Sequence, residues 1–179
     1  PEAQYNGILG SIDALGLQQD QSNIMILIGD AGNHNPDPEG NTLHEVVEAM
    51  ASYKFNLISF QVINDLSHDA YSYFNKDSRA YLYELALSVN KIEGVKPKLR
   101  KSENYPNTFE LEFKSENGQD LSDLYMFGRF TYAPNNSQMD PKFLEGNIRD
   151  ATQSYLNQIN RRIQTINRAL DGGLSGGQM

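Results

Sequence analysis

Asn-Ile-Met-Ile-Leu-Ile-Gly-Asp-Ala-Gly-Asn-His-Asn-Pro-Asp-Pro, residues Asn23–Pro38, decides how this chain is read. Ile24 to Ile28 form an unbroken apolar run, and Gly29-Asp30-Ala31-Gly32 ends it abruptly before a polar loop. A short apolar run bounded by turn residues predicts a strand buried on both faces, as in the middle of a parallel sheet. Open α/β sheets place ligands at the carboxyl ends of such strands, which is where Asp30 falls. Glycines on either side of Asp30 let the chain turn sharply without a Cβ penalty.

The flanks agree with this reading. Upstream, Tyr5, Ile8, Leu9, Ile12 and Leu15 keep the spacing of one helical face, and Gly16 closes the segment. Downstream, Thr42-Leu43-His44-Glu45 is a capping box that opens a helix with Leu43, Val46, Val47 and Met50 on its buried face. A second strand follows at Asn56–Val62. Helix, strand, helix, strand at these spacings predicts βαβ units and a parallel sheet. After Asn64-Asp65 the pattern suggests a short helical turn through Ala70, Tyr71 and Phe74. A separate helix from Asp77 then uses Leu82, Leu85, Ala86 and Val89.

The pattern changes at Lys91. Lys91–Asn107 holds five Lys/Arg and two Pro and reads as an irregular crossing. Phe109, Leu111 and Phe113 alternate with charged residues as a half-exposed strand does. Asn117-Gly118 is a hairpin-type turn signal, and Leu124–Tyr132 is a second, antiparallel strand. Asp140-Pro141 opens a long helix running to about Leu170, with Asp as cap and Pro at the first position. In it Leu156, Ile159, Ile163, Ile166 and Leu170 are spaced three, four, three, four, the seam of a coiled coil. Gly172-Gly173-Leu174-Ser175-Gly176-Gly177 reads as a flexible tail. The expected organisation is therefore an α/β unit over 1–90, a β-hairpin extension over 91–139, a long amphipathic helix over 140–171 and a Gly-rich tail over 172–179.

Composition narrows the function classes. The 179 residues carry a net charge of −8, from 23 acidic against 15 basic residues, which argues against nucleic acid as a partner. There is no cysteine, so disulfides, thiolate metal sites and thiol catalysis are excluded. No apolar stretch approaches the roughly 20 residues of a membrane span.

Ile24–Asp30 with Ala31-Gly32-Asn33-His34, preceded by a helix and followed by a helix–strand unit, resembles the second half of a von Willebrand factor A domain. The resemblance covers about Glu2–Asn90. It implies a parallel-sheet, Rossmann-like half-domain whose first half lies upstream of Pro1, and it places on Asp30 the last element of a metal-ion-dependent adhesion site. The family's Asp-x-Ser-x-Ser element does not occur in these residues. A narrower resemblance, carried by the Ile-Gly-Asp-Ala-Gly-Asn-His turn, the hairpin and the long helix, is to the TssR-like components of Bacteroidetes type VI secretion systems. That implies a non-catalytic structural part of an envelope-spanning complex, in the periplasm or at the outer membrane, with other protein subunits as partners.

Three readings of the site stay open. In the first, the chain is a scaffold that binds proteins through Asp30, Asn33, His34 and Asp37 of the top loop and through Leu156, Ile159, Ile163, Ile166 and Leu170. In the second, Asp30 holds Mg²⁺ or Ca²⁺ in an adhesion or ligand-binding domain, with Asp37 and Glu39 as further oxygens. One carboxylate alone holds such ions weakly, and Asp30 can equally brace its own loop. In the third, Asp30 is the nucleophile or base of a phosphoester-processing enzyme, although no phosphate-cradling glycine loop follows it. His34, His44 and His68 fall near the same sheet edge without the spacing of a zinc motif.

Overall fold

The computed structural model describes residues 3–62, 68–89, 93–132 and 141–176. In chain order they form α1 (Gln4–Leu15), β1 (Asn23–Gly29), α2 (Leu43–Ser52), β2 (Phe55–Gln61), α3 (His68–Val89), β3 (Val95–Lys101), β4 (Thr108–Ser115), a single 3-10 turn (Ser122–Leu124), β5 (Gly128–Thr131) and α4 (Pro141–Gly176). Asn64-Asp65 and the expected Asp140 cap lie outside the described residues.

The protein is α/β, with one mixed five-stranded sheet in the order β1-β2-β5-β4-β3. β1, β2 and β5 run parallel, and β4 is antiparallel to both β5 and β3. The parallel βαβ start and the antiparallel extension are as the sequence predicts. The position of β1 is not. It is an edge strand, and Ile24, Ile26 and Ile28 are 37%, 44% and 42% exposed. The fully buried strands are β2 and β5, every residue of which is buried.

Side-chain alternation along β2 assigns the layers. Phe55 and Leu57 pack with Met25, Leu27 and Phe130 under α1, α2 and α3, in a core that includes Tyr5, Ile8, Ile12, Val46, Met50, Phe74, Tyr81, Leu82 and Leu85. Ile58 and Phe60 point to the other face, where Leu144, Ile148, Ala151, Tyr155 and Ile159 of α4 cover them. β2 also carries polar residues at buried positions, and two of them, Asn56 and Ser59, find partners in the interior. Asn56 Nδ2 donates to Ser22 Oγ and to Asn23 O, both at 3.0 Å, and Asn56 Oδ1 accepts from Phe127 N at 2.8 Å. Ser59 Oγ meets Ser78 Oγ at 2.9 Å.

Three further expectations are corrected. Val95–Lys101 is a strand rather than an irregular crossing: Val95, Pro97 and Leu99 alternate with Lys96, Lys98 and Arg100, and an edge position tolerates the proline. The two helical segments expected around Phe74 and Leu82 are one continuous α3, since no Gly or Pro interrupts it. α4 continues past Leu170, through Gly172 to Gly176. The capping box at α2 is complete, with Thr42 Oγ1 accepting from Glu45 N and Glu45 Oε2 accepting from Thr42 N. Among the described residues no helix is long and apolar enough to cross a membrane.

Candidate functional site

The loop after β1 is shaped by close packing rather than by unusual backbone angles. Neither Gly29 nor Gly32 has a positive φ. A Cβ at Gly29 would lie 2.5 Å from Phe74 Cε2, and one at Gly32 would lie 2.4 Å from Tyr73 Cβ. Both glycines are therefore there to let α3 approach the end of β1. The backbone beyond them is tied to α1 and α3. Asn33 N donates to Asp77 Oδ2 and Asn33 Oδ1 accepts from Gln4 N, the first amide of α1, each at 2.7 Å. Gln4 Nε2 donates to Ala31 O at 2.6 Å, and Gln4 Oε1 accepts from Tyr81 OH at 3.1 Å. Gln4 is thus a buried polar bridge between loop and helices, a role its sequence position on the apolar side of α1 does not advertise.

Burial pushes the Asp77 carboxyl above the ordinary aspartate value of 3.8, against the lowering pull of the Asn33 N–H and of Lys76. Between 3.8 and its raised folded value the native protein holds a proton that the unfolded chain has released. Asp77 therefore contributes stability that is full below 3.8 and is lost as pH rises through the folded pKa. Asp77→Asn keeps an Oδ acceptor for Asn33 N and removes the titration. In urea unfolding at acidic and neutral pH the variant should gain on wild type as pH rises; a difference that stays constant with pH would count against this account.

Asp37, expected on the loop's contact surface, is turned inward and buried. Its Oδ1 accepts from Glu39 N and Asn41 N and its Oδ2 from Asn41 Nδ2, all at 2.9 Å, an Asx-type brace that closes the loop on itself. Desolvation pushes this carboxyl up, but the hydrogen bonds from Asn41 and Glu39 outweigh it and hold the pKa below the ordinary value. Asp30 is half-buried at the mouth of β1, while His34 and His44 are exposed; the His68 side chain lies outside the described residues. Among the described residues no three His, Asp or Glu side chains come together as a metal site. The part of the loop that faces solvent is His34–Pro36 and Pro38–Gly40.

α4 presents the second candidate surface. Its 36 residues span about 54 Å, against about 23 Å for a seven-residue strand, so it extends well beyond the sheet. Its middle is clamped. Tyr155 OH meets Ser22 Oγ at 3.2 Å, and Gln158 Nε2 donates to Ser122 O at 3.1 Å and to Tyr125 O at 2.9 Å. Arg161 Nε bridges both oxygens of Asp123 at 2.9 and 3.0 Å, and Arg162 Nε donates to Asp123 O at 2.8 Å. Past the clamp, every residue from Ile163 to Gly172 is exposed. Of the five seam residues, Ile159 packs on the sheet, whereas Leu156, Ile163, Ile166 and Leu170 are 47%, 51%, 48% and 62% exposed.

A polar cleft of about 340 Å³ separates α4 from β3–β5. Its charges pair with one another: Arg129 is buried, reaches Glu110 at 3.0 Å and lies 4.3 Å over the Tyr105 ring, and Arg100 sits between Glu110 and Glu112 at 3.6 and 3.7 Å. This ladder cross-braces the antiparallel half of the sheet beside α4. No family model, curated protein or solved structure matches the chain.

Proposed function

We propose that this chain is a non-catalytic protein–protein interaction module, a scaffold subunit of a larger assembly, whose α/β part is the later half of a von Willebrand A-like domain. The observation that carries the reading is the exposed apolar stripe on α4 past Arg162. A helix that is apolar along one stripe draws its stability from burying that stripe. Here the stripe at Ile163, Ile166 and Leu170 is solvent-exposed, while the preceding turns are fixed to the domain by hydrogen bonds and an ion pair. A helix held rigidly at its middle and offered at its end suits a knobs-into-holes contact with a helix of a partner subunit. On the same proposal the assembly is the envelope-spanning complex of type VI secretion, in the periplasm or at the outer membrane; that part rests on the sequence resemblance alone.

The test is native size in extracts of the source cells. Wild type should migrate in a complex much larger than the purified chain, with slowed amide exchange over 163–170. Ile163→Asp with Ile166→Asp should leave that complex while keeping the wild-type fold, since both positions are exposed. Wild type that runs at its purified size, or a double variant that stays in the complex, would remove α4 as the contact surface.

A further inference from the structure

At the amino ends of β2 and β5, across the sheet from the Asp30 loop, lies a groove of about 390 Å³. The 3-10 turn, the end of α3 and Arg162 of α4 border it. Phe55, Val89, Leu124 and Met126 give it apolar walls, and Lys54 and Arg162 are its two charged residues. No Asp or Glu lines it, in a chain that has 23 acidic residues against 15 basic ones. The neighbouring carboxylate, Asp123 beside Leu124, is engaged by Arg161.

Arg162 is the more telling of the two cations. Charges drawn out of water are usually matched by an opposite charge, because an unpaired one is costly to bury. Arg162 is only partly exposed, yet its partners are two backbone carbonyls. Its Nε donates to Asp123 O at 2.8 Å, and a terminal nitrogen donates to Tyr125 O. These bonds fix the guanidinium and leave its charge without a counterion. Neither Arg162 nor Lys54 forms an ion pair among the described residues. Tyr125, also in the groove wall, is 8% exposed, and its hydroxyl is buried without a hydrogen-bond partner.

We infer that this groove takes the carboxy-terminal residue of a partner polypeptide, with an apolar side chain on the groove walls and the free carboxylate against Arg162 and Lys54. An inorganic anion would use the cations and leave Phe55, Leu124 and Met126 wet. An uncharged apolar ligand would do the reverse. A terminal carboxylate on an apolar residue uses both, and the planar fork of an arginine matches its two oxygens. Capture of a terminal carboxylate is one of the recurring modes of peptide recognition. The groove is open to solvent along Leu124, which is 45% exposed. It therefore covers one end of a chain rather than enclosing a whole molecule, which favours a peptide terminus over a free fatty acid that must bury its tail to bind.

This site is separate from the stripe at Ile163, Ile166 and Leu170, and the purified chain alone tests it. Amide chemical shifts are followed in titrations with a short acetylated peptide ending in Ala-Leu, with the same peptide as its carboxy-terminal amide, and with octanoate. The acid peptide should shift the amides of Phe55, Leu124 and Met126 saturably, and amidation should weaken it about tenfold, the loss of one charge-assisted pair. Arg162→Gln should lose as much, and Arg162→Lys, which keeps the charge without the fork, should fall between. Because Arg162 also holds the 3-10 turn, Lys54→Asn is the second variant. Asn accepts the left-handed backbone that Lys54 adopts at φ 52, and this change should weaken the acid peptide a few fold while leaving the amide peptide unaffected. Equal affinity for acid and amide would overturn the proposal, as would shifts that avoid these three amides or the absence of any saturable shift. Octanoate binding as tightly as the acid peptide would overturn the assignment to a chain terminus in favour of a free amphiphile.

Discussion

Phe74→Ala is expected to lower the unfolding free energy by about 3–5 kcal/mol, the range for truncating a buried phenylalanine when the cavity cannot collapse. Phe74 is fully buried in the main core, its ring 6.3 Å from that of Phe130. The ring also lies against backbone: Gly29 presents no side chain, and α3 uses the space to lie against the end of β1. A core with backbone on one side relaxes poorly, which puts the cost toward the upper end. The same geometry predicts a coupling. Gly29→Ala alone forces a Cβ to within 2.5 Å of Phe74 Cε2 and should destabilise. In the Phe74→Ala background that Cβ has room, so the second substitution should cost little or nothing. Urea unfolding of the two single variants and the double variant closes the cycle. Additive costs would mean that the glycine is not there for the ring.

The elements of this region were legible in sequence and their arrangement was not. Ile24–Ile28 reads as a strand because it is apolar, and it is one. Its continuity suggests burial on both faces, but Ile24, Ile26 and Ile28 face outward at an edge. β2 shows the opposite mismatch: Asn56 and Ser59 make it look less like a central strand, yet both find partners in the interior. Periodicity registers what a side chain is, not whether a remote group will satisfy it. β3 was hidden for a related reason, since the Lys and Pro residues that suit an edge strand also resemble a loop. The Thr42–Glu45 capping box was readable because its partners are three residues apart.

The surfaces divide in the same way. The seam of α4 is visible from spacing alone. The clamp that fixes the helix is not, because Gln158, Arg161 and Arg162 bind Ser122, Asp123 and Tyr125, whose proximity only the fold creates. The top loop reads as a polar contact surface, but Asn33 bonds to Gln4 of α1 and Asp77 of α3, and Asp37 spends its carboxylate inside the loop. Among the described residues the fold leaves two apolar rows exposed, Ile24, Ile26 and Ile28 on β1 and Leu156, Ile163, Ile166 and Leu170 on α4.

The second large effect is expected at Asn56, where the sheet, the approach to β5 and the anchoring of α4 meet. Asn56→Ala leaves the buried Phe127 N–H without its acceptor and removes the side-chain donor to Asn23 O, at a cost of about 2–3 kcal/mol. It also removes the donor that fixes Ser22 Oγ, the group that meets Tyr155 OH on α4, so the helix should loosen along with the sheet. Asn56→Asp separates these contributions. Its carboxylate still accepts from Phe127 N, but it sets an oxygen against Asn23 O where a donor stood. Burial and that carbonyl favour the protonated acid, which can donate again, so the folded pKa rises above the unfolded one. The stability this adds is present below the unfolded pKa and lost as pH rises through the folded pKa. The Asp variant should therefore approach wild type in acid and fall toward the Ala variant at neutral pH, with amide exchange over 155–162 of α4 following the same course. If the Asp and Ala variants are equally unstable at both pH values, Asn56 matters for its shape and not for its hydrogen bonds.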